Sequence, residues 1–214
     1  MSTVSKPTMT QWLAPQIMPL FDKIRNLCGP EEDTGVSIAG IVFREDGPGV
    51  AAALGVDNAI VVILDLAAET DQDWALLELA HELTHCLVPS LKGRALMMEE
   101  GAAVMLSLTA PTFPTKGFGV QALTDLTEMP ERGNYAEALS AVEALLQIDG
   151  AAIRKLRAVQ PDWKLHTAEL IRQVLPDVPE DLAAVLCEQR GMHDLWVPSA
   201  WFQRQPSKAS PHDA

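Results

Sequence analysis

Apolar side chains recur at helical spacing between residues 12 and 27, but Pro15 and Pro19 interrupt the run, so the pattern predicts a short or broken helix. After Gly29-Pro30 the period changes. Residues 36–43, 50–54 and 59–64 read as three short strands, divided by Asp46-Gly47 and by residues 55–58. Thr70, Asp71 and Asp73 then supply cap-type side chains ahead of residues 74–88. That stretch lacks Pro and Gly and sets Leu76, Leu79, Leu83 and Leu87 on one helical face. Pro89-Ser90 ends it. Residues 94–108 resume a helical pattern rich in Leu, Met and Ala.

Residues 109–119 hold Pro111, Pro114, Gly117 and Gly119 and read as a loop and hinge. Beyond them, residues 134–148, 151–159, 163–175 and 180–190 predict helices punctuated by Gly150, Pro161, Pro176 and Pro179. Residues 203–214 are polar, carry Pro206 and Pro211, and read as a mobile tail. The order of elements predicts an α+β fold with a small N-terminal sheet, a central helix and a mostly helical C-terminal lobe. The expectation is a single domain over residues 1–202, with lobes at about 1–108 and 120–202.

Composition narrows the function classes. With a net charge of −13 and only 16 Lys and Arg, nowhere clustered, the chain lacks the electrostatic footprint of a nucleic-acid binder. The first ten residues carry no basic-then-apolar signal pattern, and charges, Pro or Gly break every apolar stretch before bilayer-spanning length. Three cysteines, Cys28, Cys86 and Cys187, without CxxC spacing suit reduced thiols rather than a disulfide framework. The expectation is a soluble cytoplasmic protein with no nucleic-acid or membrane partner.

The chemistry concentrates in His81-Glu82-Leu83-Thr84-His85. Two histidines four apart on a helix lie about 40° from one another, one turn up, so their ring nitrogens can converge on one zinc ion. Glu82, about 100° from His81, stands beside such an ion as a general base rather than a ligand. Glu78 points toward the same face and reads as a solvated surface glutamate, outside the site.

A catalytic zinc needs a third protein ligand, and no histidine follows before His166. The metzincin continuation is also absent, because residues 89–92 offer neither its glycine nor its histidine. A carboxylate must serve. Glu99 and Glu100 follow after 13 and 14 intervening residues, on the next helix. Glu100 is the better candidate, since Leu96, Met97, Ala103 and Val104 turn it inward, whereas Glu99 has a weaker apolar surround.

With Glu100-Gly101-Ala102-Ala103 in place, the sequence resembles the gluzincin metallopeptidases, of the compact minigluzincin or peptidase-MA-like type. In that family HExxH is followed by a helix bearing Glu-Gly-x-Ala. The resemblance covers residues 59–156, and HELTH is its specific motif. It implies a zincin-like fold and a zinc held by His81, His85 and Glu100. It also implies hydrolysis of a peptide or protein substrate by zinc-activated water, with Glu82 as base. Gly101 is expected to allow close helix approach. Tyr135, the one tyrosine of the chain, resembles the family's oxyanion-stabilising tyrosine, although Ala138 stands where family helices carry Tyr-x-x-Gly. Asn134 and Glu137 are expected to cap its helix.

The alternative reading is a catalytically inactive or regulatory zincin-fold protein that binds a peptide partner. Residues 59–64 are expected to form a strand beside the cleft, open to pairing with an extended substrate. His166 and His193 have no assigned role.

Overall fold

The structure is a computed structural model and describes residues 7–29, 36–89, 93–129, 132–192 and 194–205. His193 and residues 206–214 of the expected tail lie outside the described residues.

The chain opens with α1 (Met9–Leu13), whose N-terminus is closed by a capping box between Thr8 and Gln11. A 3₁₀ turn over Ala14–Gln16 takes Pro15 and joins α2 (Ile17–Cys28). Pro15 is therefore the break anticipated from the pattern. Pro19 is not, because it falls in the first turn of α2, where a backbone N–H has no intrahelical partner to lose.

Three strands follow: β1 (Ser37–Arg44), β2 (Gly49–Ala52) and β3 (Ala59–Asp65). Their order is β1-β3-β2, with β1 parallel and β2 antiparallel to β3. Strand β3, a continuous apolar run, is thus central, and both of its edges are paired. This overturns the expectation that residues 59–64 lie open to an extended substrate.

A short 3₁₀ turn over Leu66–Thr70 leads to α3 (Gln72–His85), where Asp71 accepts the N–H groups of Asp73 and Trp74 as N-cap. The face of Leu76, Leu79 and Leu83 is buried as expected, but Glu78 and Glu82 on the other side are buried too. Helix α3 runs through the interior rather than along the surface. It packs on α4 (Met97–Thr109), which begins three residues later than the pattern predicts.

The segment expected to be a loop as far as residue 119, and unassigned up to 133, contains α5 (Phe118–Glu128). Gly117, at φ 85°, turns the chain into this helix. Gly119 then sits within its first turn, where an added Cβ would meet Leu108 O at 3.0 Å. The glycines that suggest a loop here serve a turn and a tight contact.

Next come α6 (Gly133–Ile148) and α7 (Ala152–Val159), close to expectation. The helix expected over residues 163–175 splits into a 3₁₀ turn, Trp163–Leu165, and α8 (Ala168–Val174), because Thr167 caps a new helix by accepting the Leu170 N–H. Helix α9 (Glu180–Leu186) stops short of residue 190: Gln189 bridges to Leu96, and the Met97 N–H donates to Glu188 O. A final turn, α10 (Ala200–Gln203), ends at the first residue of the expected tail.

One contiguous core draws Ile41, Val62 and Leu64 from the sheet together with Leu79, Leu83, Ala102, Val142, Leu145, Leu156 and Leu186 from the helices. Among the described residues no helix is long and apolar enough to cross a membrane.

Candidate metal centre

His81 and His85 occupy the last turns of α3, and Glu100 sits in the first turn of α4, which passes alongside. Their donor atoms converge. His81 Nε2 lies 3.3 Å from His85 Nε2 and 3.4 Å from Glu100 Oε2, while His85 Nε2 lies 3.9 Å from Glu100 Oε2. A tetrahedral ion with ligands at about 2.1 Å holds its donors about 3.4 Å apart, so the three side chains fit such an ion with adjustments of a few tenths of an ångström. This His-His-Glu group could hold a metal ion.

The adjacent glutamate takes a different position. Glu99 is 4% exposed, and its Oε1 accepts a hydrogen bond from His85 Nδ1 at 2.8 Å. The weak apolar surround expected for Glu99 is therefore corrected. Its carboxylate is buried and bonded to His85 of α3, a contact between helices that spacing within α4 does not reveal. Donation from Nδ1 leaves Nε2 of a neutral His85 as a lone pair aimed at the other two donors.

Without an ion the carboxylates act on a proton instead. Burial pushes His85 down, but Glu100, Glu99 and Glu82 together outweigh it and lift the ring to about 10. A metal ion bound to Nε2 of this ring would have to displace that proton.

Glu82, 4% exposed, is no member of the donor group, yet it lies close enough for His81 and His85 to act on it electrostatically. Burial raises its pKa above the usual carboxylate range, and the two imidazoles pull it back in part. Glu78, expected to be solvated, is buried as well. Its Oε2 accepts the Asp65 N–H at 2.8 Å, fastening α3 to the end of β3, and burial lifts its carboxyl to about 7 despite that bond. The i, i+3, i+7 relation of Glu78 to His81 and His85 was the available signal for its placement.

Tyr135 comes from the first turn of α6, and its ring centroid lies 6.0 Å from that of His81, nearly perpendicular to it. The residue that makes this approach possible is Gly101. A Cβ there would stand 2.1 Å from Ala138 O and 2.7 Å from Val142 Cγ2. Gly101 thus admits α6, rather than α3, to contact with α4, and Ala138 is its partner. One turn earlier on α6, Tyr135 is carried over the histidines.

The expected cap by Asn134 and Glu137 does not form. Helix α6 starts at Gly133, and both side chains bind the segment after α9. Asn134 Nδ2 donates to Gly191 O and Asp194 O. Glu137, fully buried, accepts from Arg190 Nη1 and Trp196 Nε1 at 3.0 Å and from the Ser199 N–H at 3.2 Å. The contacts bring Arg190 and Met192 to the wall of the site, more than a hundred residues from α3, with no local sequence signal.

Two cavities meet at Pro48, His81, Glu82 and Tyr135. One, of about 510 Å³, runs between α3, α4 and α5, and the other, of about 290 Å³, passes His85, Glu99 and Glu100 toward Arg94, Lys164 and Arg190. His166 is elsewhere, buried against Trp163, whose carbonyl lies 3.1 Å from its Nδ1. Comparison with protein-family models, with curated proteins and with solved structures returned no match.

Proposed function

We propose that the chain is a zincin-like, zinc-dependent metallopeptidase, and the observation that carries this reading is the convergence of His81 Nε2, His85 Nε2 and Glu100 Oε2. Two imidazoles and one carboxylate favour zinc over magnesium or calcium, which prefer all-oxygen sites. A zinc ion held there supplies Lewis acidity toward a carbonyl oxygen and lowers the pKa of a coordinated water to about 7.

The chain's own residues supply the rest. Glu82 takes a proton at its carboxylate as water adds to the peptide carbonyl, and returns it to the leaving amine as the C–N bond breaks. Its burial favours both halves of this exchange, because a carboxylate with a raised pKa holds the proton until the amine needs it. Glu99 keeps His85 in the tautomer that presents Nε2 inward. Tyr135 donates its O–H to the oxygen on which negative charge develops.

An extended substrate fits a cleft with two arms. With β3 paired on both edges, β2 is the strand that borders the cleft, through Gly49 and Val50, and its outer edge is where a peptide backbone adds. Free thiols at Cys28, Cys86 and Cys187 accord with a reducing, cytoplasmic setting. The test is metal analysis of protein purified without added zinc, paired with digestion of a peptide library. One equivalent of zinc and chelator-sensitive cleavage are expected. A chain that takes up no zinc on titration would falsify the reading.

A further inference from the structure

We propose that the stretch joining α9 to α10 holds Tyr135 over the metal centre, with Trp196 as the positioning residue. The inference rests on the metallopeptidase reading for what Tyr135 does in turnover, while the placement itself is a property of the fold.

Tyr135 lies in the first turn of α6, and that end of the helix has little local support. Arg132, at the N-cap, makes no side-chain hydrogen bond to the turn, and no acidic residue stands in the turn itself. Tertiary contacts must hold such an end in place. Three successive residues of the turn meet the joining stretch. Trp196 lies so close upon Gly133 that an added Cβ would stand 2.1 Å from its Cδ2. Asn134 Nδ2 donates to Gly191 O and Asp194 O, both at 3.1 Å. Met192 packs with Tyr135 in a cluster that includes Met97 and Ala138.

Trp196 is turned inward while its neighbours point out, Leu195 at 91% and Val197 at 68% exposed, the alternation of an extended chain. Its Nε1 donates to the buried Glu137 Oε2 at 3.0 Å, and Phe202 of α10 backs the ring nearly perpendicular, with centroids 5.7 Å apart. The ring thus covers Gly133 from a fixed seat. Tyr135 sits between two close contacts of α6, Gly133 with Trp196 and Ala138 with Gly101. A hydrogen-bond donor to a developing charge needs this precision, because a displacement of about 1 Å removes much of its effect.

Tyr135 is the one tyrosine of the chain, so protein grown on 3-fluorotyrosine gives a single fluorine resonance that reports its surroundings with or without zinc. Gly133→Ala places a Cβ where the Trp196 ring sits, yet helix propensity alone would have it strengthen α6. It is expected to move the resonance toward that of the urea-unfolded chain, and Trp196→Ala should do the same. Trp196→Phe, which keeps a ring over Gly133, should stay near the native position, as should Leu195→Ala and Val197→Ala on the solvent side. On a cleaved peptide, Gly133→Ala should lower kcat by about 10- to 100-fold with KM little changed, a part of the factor an oxyanion donor supplies. In the Tyr135→Phe background the same substitution should lower it no further. Gly133→Ala carries the test by itself if Trp196→Ala does not fold. A native resonance in folded Gly133→Ala protein overturns the proposal, and so does an equal loss of kcat in the Tyr135→Phe background. A shifted resonance in protein that loads no zinc and cleaves no peptide supports the placement and overturns the metallopeptidase reading.

Discussion

Glu99 Oε1 lies 2.8 Å from His85 Nδ1, while Nε2 of the same ring faces His81 Nε2 at 3.3 Å. Two neighbouring glutamates thus stand on opposite sides of one histidine, Glu100 within the donor group and Glu99 behind the ring. Replacing Glu99 by Ala should weaken zinc binding by about 10- to 100-fold, since the ring loses the partner that fixes its tautomer. Glu100→Ala, which removes a donor, should weaken it more. Competition against a chelator of known affinity ranks the two. An unaltered affinity in Glu99→Ala would reduce that carboxylate to a packing role.

Glu82→Gln should retain zinc and lose hydrolysis, because the amide fills the same buried space without accepting a proton. Zinc content and turnover measured on one preparation separate the two properties. Loss of metal in this variant would mean that Glu82 is a ligand.

Tyr135→Phe should lower kcat by a factor of about 100 to 1,000 and leave zinc affinity and KM close to their original values, as expected for a donor that acts on developing charge. The ring keeps its place between Met97, Ala138 and Leu139 in this variant, so the fold is preserved. Full turnover in the phenylalanine variant would assign Tyr135 to packing alone.

Gly101→Ala should destabilise the protein by about 3 kcal/mol, the upper end of the cost of overpacking, since the nearest atoms to the new methyl are backbone atoms of Ala138 that cannot turn aside. Separating α4 from α6 also draws Tyr135 away from His81, so activity should fall more than the folded fraction does. Denaturant titration alongside turnover checks both. A variant of native stability would show that the helices slide at little cost.

Glu137→Ala should cost about 3 kcal/mol, because it leaves Arg190, Trp196 and the Ser199 N–H without their common acceptor in the interior. Chemical denaturation measures this. A loss below about 1 kcal/mol would mean that water replaces the carboxylate there.

Legibility in the sequence followed the range of the interactions. The α+β order, the three strands and the helix bearing HELTH could be read because each rests on a local period or on a cap within a few residues. Helix α5 was hidden for a local reason too: Gly117 and Gly119 look like loop residues until one knows that Leu108 lies against the second of them. The capping signature at Asn134 and Glu137 misled, because both side chains find better partners near residues 190–199.

Sequence alone determined that two histidines stand one turn apart with a glutamate between them, and that an acidic pair follows on the next helix, since α-helical geometry converts spacing into direction. Tertiary structure alone decided which edges of the sheet are paired, that Glu78 and Glu99 are buried, that Gly101 meets Ala138, and that Arg190 and Met192 reach the site. Those outcomes depend on how elements far apart in the chain fill a shared interior. A buried carboxylate or a missing Cβ takes its meaning from the neighbour across the gap, and no period along the chain names that neighbour.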